Sequence, residues 1–312
     1  GLRTSRQAMW NQLDALAAIC DPSYKAQHDW MVRSHDMLHA DETSWRMMFK
    51  GGSTKWWLWG LAARDGFFCM TLPTRGSMAA RELLRDFDGA LMSDAYLVYK
   101  SLAAEASQKN LKLDDDHPWQ PAFEMFVCWS HARRRFEQAS KSDDDAHVVL
   151  DHIAELYEVE ARARDQADGD LAKLHTLRKQ LRAEESTVIV EKIRQWRTSQ
   201  LSLPGTKLAD GLTFLGNQWS ELTGFLTNPL VPLDNNLIER EVRTPVLGRK
   251  NHLGSHSARG AYVSALFYSL LGSCRLVGVS PVRYLTTLVE RALRTDGYVL
   301  LPHEFAAELA VT

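Results

Sequence analysis

Five short apolar runs between residues 38 and 129, then a stretch from 131 to 230 with no strand texture, limit this chain to an α/β core interrupted by helices. The runs lie at 38–45, 55–62, 66–72, 89–94 and 123–129. Arg64-Asp65-Gly66 joins the second to the third, and an Asp-Gly pair between apolar runs is a strong hairpin signal. Helical spacing predicts helices over 77–87, with Ala80, Leu83 and Leu84 on one face, and over 95–102. Three antiparallel strands followed by crossovers suit a mixed sheet with helices on its faces. The segment 151–197 is charged, with Leu156, Val159, Leu171, Leu174, Leu177 and Leu181 at helical spacing, as in helices with solvated outer faces. Residues 5–37 read as a helical lead-in, with Trp10, Leu13, Leu16, Ala17 and Cys20 in register and a break at Asp21-Pro22. Asp234 or Asn236 can cap a helix running to about 242, and further helices are predicted at 259–277 and 281–293, the last started by Ser280-Pro281. The expected division is therefore 1–37, a core from 38 to 131, a helical insertion over 132–230, a completing core over 231–293, and a tail over 294–312.

With 312 residues and 45% hydrophobic content the chain can bury a large core. Its formal net charge of −2 gives no global basic field, so any contact with a polyanion must come from local patches. No apolar run approaches the roughly 20 residues of a membrane-spanning helix, and the start, Gly1-Leu-Arg-Thr-Ser, is no signal peptide, so the expectation is no membrane. The missing initiator methionine reads as an excised portion of a longer protein. The 4 cysteines, Cys20, Cys69, Cys128 and Cys274, are widely spaced, which argues against a disulfide framework or a four-cysteine zinc site and for a reducing, cytoplasmic setting.

Several residues could carry chemistry. Asp41 lies inside an apolar strand, followed by Glu42 and Thr43, and Asp94 ends another strand. Carboxylates at similar heights on adjacent strands can share divalent metals, and a helix carboxylate, Glu239, could complete the set. The long gap between Asp94 and Glu239 makes sense only with a helical insertion between them. Two metals roughly 3.5–4 Å apart serve phosphoryl transfer. Equally, an aspartate at a strand end is commonly a turn or cap residue, and Glu239 beside Arg240 commonly a surface ion pair. Cys128-Trp-Ser-His131 pairs a thiol and an imidazole; two ligands do not fill a tetrahedral zinc site, so a buried Cys with an orienting His, or a His131 that contacts phosphate or tunes a metal ligand, are the alternatives. A Cys/His nucleophile has no other support. Arg133-Arg-Arg135 and the group Arg240, Arg243, Arg249, Lys250, His252, His256 and Arg259 form basic clusters able to grip a DNA backbone. Among 10 tryptophans, Trp56, Trp57 and Trp59 suit sheet packing better than base stacking.

These segments together resemble the catalytic part of the insertion-sequence-66 transposases, which are bacterial DDE recombinases. The matching stretches are LHADET at 38–43, FDGALMSDAYLVY at 87–99, FVCWSHARRRF at 126–136, PLDNNLIEREVR at 232–243, VLGRKN at 246–251 and SLLGSCRLVGVSPVRYL at 269–285. The resemblance implies an RNase H-like mixed sheet with flanking helices, interrupted by an all-helical insertion. It carries the catalytic, metal-binding acids onto Asp41, Asp94 and Glu239, and places Cys128 and His131 in a Cys-x-x-His element. Asp234 and Asn235 become the start and inner face of the helix that aims Glu239. The implied cofactor is Mg2+, with Mn2+ as substitute, in a two-metal site. The implied reaction nicks element ends and then joins a free 3′ hydroxyl to target DNA. His131, Arg133, Arg240, Arg243, Arg249 and Lys250 are the expected DNA contacts.

Two departures stand out: Ala95 replaces the usual glycine after the second aspartate, and Leu253-Gly254 replaces a bulky aromatic. The amino-terminal coiled-coil, zinc-binding and DNA-binding segments that the resemblance implies are not seen in this sequence, so weak sequence-specific DNA binding is expected. The implied partners are element ends and target DNA, accessory transposition proteins and further copies of the chain. Two competing readings are an RNase H-like nuclease that cleaves without strand transfer, and a non-catalytic DNA-binding or assembly derivative of a transposase.

Overall fold

A computed structural model describes residues 5–106 and 121–311. In chain order the elements begin with α1 (Arg6–Ser34), β1 (Met37–Phe49), β2 (Gly52–Ala63), β3 (Gly66–Leu72), α2 (Ser77–Leu84), β4 (Ala90–Ser93), α3 (Leu97–Ala106) and β5 (Glu124–Val127). Helices follow: α4 (Trp129–Ala139), α5 (Ala146–Ala167), α6 (Leu171–Leu181), a π-helical turn at Arg182–Ser186, α7 (Thr187–Ser199), α8 (Lys207–Asn217) and α9 (Trp219–Thr223). The chain closes with α10 (Asn236–His252), α11 (Ala258–Leu276), α12 (Pro281–Ala292) and α13 (Pro302–Val311). The class is α/β. Among the described residues no single helix is long and apolar enough to cross a membrane.

The chain forms two compact units. The first comprises Gly1–Gly89, Ser101–Phe123 and Asn236–Thr312. Its sheet is an antiparallel meander, β1 paired with β2 and β2 with β3, and Arg64-Asp65 turns the second hairpin as expected. One face is closed by α10 and α11. Trp45 and Met47 of β1, Leu58 and Ala62 of β2, and Phe67 and Cys69 of β3 pack with Ile238, Val242, Ala261 and Ala265. Burying large apolar side chains here contributes roughly 1.5–3 kcal/mol each. Polar stitching adds direction: Gln27 Nε2 donates to Ser273 Oγ at 2.5 Å, and Ser273 Oγ accepts from Phe67 N at 2.8 Å.

Several boundaries differ from the sequence expectation. Asp21-Pro22 does not break α1. Cys20, Ser23, Tyr24, Gln27 and His28 stay buried across it, so tertiary packing holds the helix through a proline that cannot donate. Likewise α10 runs past 242 to His252 with Pro245 buried inside it. It starts at Asn236, with Asn235 immediately before it. The helix expected over 77–87 stops at Leu84, where Arg85 takes φ 48. β5 ends at Val127, and Trp129 already belongs to α4.

The second unit comprises Ala90–Lys100 and Glu124–Asn235. β4 and β5 pair in parallel, Ser93 opposite Val127. The helices α4 to α9 bury an apolar face that includes Phe136, Ile153, Leu156, Ile193 and Leu215. At its centre Glu160, 2% exposed, accepts from Arg178 Nε at 2.9 Å and Arg182 Nε at 2.7 Å. Arg182 also donates to the carbonyls of Phe225, Asn228 and Val231 at 2.7–2.9 Å. A buried guanidinium is tolerable because nearly all its donors are used. It fixes the strand-free segment that leads to Asp234 and Asn235.

Candidate catalytic and nucleic-acid site

In the first unit the decisive choice is between two adjacent acids. Side chains alternate along a strand, so His39, Asp41, Thr43, Trp45 and Met47 share one face of β1 and Glu42 takes the other. Trp45 and Met47 pack under α10, so Asp41 is on the face that α10 covers. Asp41 is half-buried, and its Oδ1 accepts from Glu42 N at 2.8 Å. Glu42 points away, with a fully buried carboxylate that accepts from Arg75 Nε at 3.0 Å and Nη2 at 2.5 Å. That guanidinium occupies Glu42.

Glu239 is half-buried in the first turn of α10. Its position relative to Asp41 follows from a glycine. Asp41 pairs in register with Gly60. A Cβ on Gly60 would meet Ile238 Cδ1 at 3.1 Å and Val242 Cγ2 at 3.3 Å. The residue preceding Glu239 therefore rests on the register partner of Asp41. The helix descends this far because Gly60 has no side chain, a signal legible as a glycine inside the Trp56–Leu61 run but missed in the sequence.

The second unit holds Asp94, Cys128, His131, Asp234 and Asn235. Asp94 follows the last residue of β4, and Cys128 N donates to Ser93 O at 3.1 Å. Asp94 and Cys128 therefore leave the carboxyl ends of neighbouring parallel strands, the usual location of α/β sites. Asp94 Oδ1 accepts from Tyr96 N at 3.1 Å, which closes a turn over Ala95. Ala95 has φ 72, so the alanine noted as a departure occupies left-handed backbone where glycine is at ease.

Cys128 is fully buried, and burial pushes its thiol up from the usual range, so the neutral thiol predominates. Its Sγ lies 2.9 Å from Ser130 Oγ and accepts from Asn235 N at 3.2 Å. Trp129 N donates to Leu233 O at 2.8 Å. Cys128 thus serves as a buried clasp for the segment entering α10, and a nucleophilic role has no support. Asn235 is 1% exposed. Asp234 lies beside Tyr157, whose hydroxyl is pushed up first by burial and then by the Asp234 charge. His131 is half-buried in the first turn of α4.

The expected DNA contacts fall into two kinds. Arg240, Arg243 and Lys250 are exposed on α10. Arg133 is exposed but paired with Glu137 at 3.0 Å, one turn along α4. Arg249 is half-buried, and its Nη1 donates to Thr43 Oγ1 and Ser44 Oγ at 3.2 Å and to Ser44 O, so it braces α10 against β1.

The chain belongs to the IS66 family of transposases, whose family model matches residues 1–263. Three curated relatives come from Sinorhizobium fredii (strain NBRC 101917 / NGR234). Uncharacterized protein y4qI is 27% identical over 83% of this chain and 48% of its own length. Uncharacterized protein y4jD is 28% identical over 75% of this chain and 45% of its own. Uncharacterized protein y4hP is 24% identical over 100% of this chain and 58% of its own. The chain thus spans about half the length of the curated relatives it matches.

Proposed function

We propose that this chain is the catalytic region of a DNA transposase that performs metal-dependent phosphoryl transfer, with Asp41, Asp94 and Glu239 as the metal-binding acids. The observation that carries the reading is the division of labour at residues 41 and 42. One acid is bound to Arg75; the other is half-buried on the α10-covered face, level with the turn that carries Glu239. Carboxylate oxygens are the donors Mg2+ prefers, so the set fits Mg2+, with Mn2+ as substitute. Bound there, a pair of divalent ions would polarise the phosphate and stabilise both the attacking and the leaving oxygen. The chain's own residues supply position: β1 and α10 hold Asp41 and Glu239, and the turn at Ala95 holds Asp94.

In this reading the fold is RNase H-like, and residues 132–230 are its all-helical insertion. Water attacks a phosphodiester at the element end and the bond to the 3′ oxygen breaks; the released 3′ hydroxyl then attacks a phosphodiester of target DNA, joining to its phosphorus as the target's own 3′ oxygen leaves. Arg240 and Arg243 steer phosphate, and His131 contacts it. Element ends, target DNA, further copies of the chain and accessory proteins are the partners that accompany this activity.

The test is cleavage and joining of duplexes carrying the parent element's ends, with Mg2+. Asp41→Asn, Asp94→Asn and Glu239→Gln should each lower cleavage by about three orders of magnitude, as expected when a charge-stabilising group is removed from the site. Full activity in Asp41→Asn or Glu239→Gln would sink the assignment. Precut ends that are never joined would reduce the reading to a nuclease.

A further inference from the structure

A groove of about 610 Å³ opens in the first unit between the β1–β2 hairpin and the end of α10. Arg46, Lys55, Arg249 and Lys250 line it with the hydroxyls of Ser53 and Thr54, and no carboxylate does. Such a concentration of one sign is unexpected in a chain of net charge −2. Among the described residues, Arg46, Lys55 and Lys250 enter no ion pair. Left together without counter-charge, like charges repel, a cost that a bound polyanion relieves.

Backbone hydrogen bonds tie the groove walls together. Ser255 bridges to Met47, with Met48 N donating to Ser255 O at 2.7 Å and Ser255 N to Arg46 O at 2.9 Å. Gly254 allows this approach: at φ +116, a Cβ there would lie 2.1 Å from Arg46 O. Arg249 is committed to β1, so Arg46, Lys55 and Lys250 are the cations left to grip a ligand.

We infer that this groove is a docking site for the phosphate backbone of duplex DNA, held by Arg46, Lys55 and Lys250. The inference rests on the transposase reading for the identity of the polyanion. The aromatic chemistry favours a duplex over a single strand, which needs open rings for its bases. Trp45 is fully buried, and its indole donates to Ser255 Oγ at 3.1 Å. Trp57 carries the Lys55 ammonium 4.3 Å and the Arg75 guanidinium 4.7 Å from its ring centroid. These rings are taken, so contacts position the backbone and carry no base readout.

The test compares the full chain with the triple variant Arg46→Ala/Lys55→Ala/Lys250→Ala, using fluorescence anisotropy of a labelled duplex across a salt series. The control is Lys141→Ala/Lys173→Ala/Lys179→Ala, which removes exposed cations of the second unit. The groove variant should raise Kd about tenfold or more and lower the salt slope by about 2–3, as expected for three lost phosphate contacts. The control should change neither. An unchanged Kd and slope in the groove variant, an equal loss in the control, or a loss confined to single-stranded DNA would overturn the inference. A melting profile unchanged from wild type shows that the loss is not unfolding; a folded triple variant with wild-type binding sinks the groove and leaves the catalytic acids standing. Conversely, an Asp41→Asn protein that still cleaves sinks the catalytic reading, while its duplex affinity continues to report on the groove.

Discussion

Two cation clusters, one in each unit, are handled oppositely. In the second, Arg178 and Arg182 are buried around Glu160 and spend their donors on it and on backbone carbonyls. In the first, Arg46, Lys55 and Lys250 stay exposed around a groove with no acid among them. A buried charge must be satisfied inside the protein, so its role is to fix structure. An exposed, unneutralised cluster fixes nothing and keeps its potential for a ligand. Counting arginines in the sequence cannot separate these cases; their partners can.

The largest effect should come from breaking the buried set. Glu160→Gln leaves two buried guanidiniums without counter-charge and should cost about 3–5 kcal/mol. Urea denaturation followed by a second-unit probe, such as the buried Trp196, measures it. A loss below about 1 kcal/mol would erase the contrast, because exposed pairs cost that little. Next is Gly254→Ala, which forces a Cβ against Arg46 O in left-handed backbone and should destabilise the first unit by about 1–3 kcal/mol. Its melting temperature should fall, and duplex affinity with it.

A pH effect follows in size. His28 is buried, stacks on Phe68 at 4.0 Å between ring centroids, and donates from Nε2 to Leu83 O at 2.7 Å. Burial, with Arg85 adding to it, lowers its pKa from 6.5 to about 4. The folded state thus disfavours the proton that the unfolded chain accepts. Stability from this group is complete above about pH 6.5 and is lost as pH falls from there towards 4. Moving from pH 7 to pH 5 should cost about 2 kcal/mol, read from denaturant midpoints. His28→Gln, whose amide can still donate, should flatten that limb; an unchanged slope would assign it to other groups. The smallest effect is a gain: Ala95→Gly relaxes φ 72 and should stabilise the second unit by about 0.5–1 kcal/mol. A loss there would mean that the alanine methyl contributes packing.

Local patterns carried much of the fold. The hairpin at Arg64-Asp65-Gly66, the two strands that lead into Asp94 and Cys128, and α11 and α12 follow from apolar periodicity and turn residues. α1 runs through the proline expected to break it, and α10 outlasts its expected end near 242 with Pro245 buried inside it, because long-range burial outweighs local propensity. The tail over 294–312 gave no clear pattern, and its helix α13 rests on Phe305 packing at the side of Tyr284. At the site, the sequence offered Asp41 followed directly by Glu42 in one strand, and strand alternation turns the two acids opposite ways. Which face receives α10 was not legible, because Gly60 and Arg75 decide it through contacts between distant segments. The Glu160 network and the groove formed by Arg46 and Lys55 were missed for the same reason.

Metal rescue distinguishes a carboxylate that holds a metal from one that only shapes the fold. Cleavage by Asp41→Cys, Asp94→Cys and Glu239→Cys, beside Glu42→Gln, should be measured with Mg2+ and then with the softer Mn2+. A thiolate binds Mg2+ poorly and softer ions better. The three cysteine variants should lose cleavage in Mg2+ and recover a substantial part of it in Mn2+, while folded Glu42→Gln cleaves in both. Wild-type cleavage in Mg2+ by Asp41→Cys or Glu239→Cys would remove these acids from the metal site.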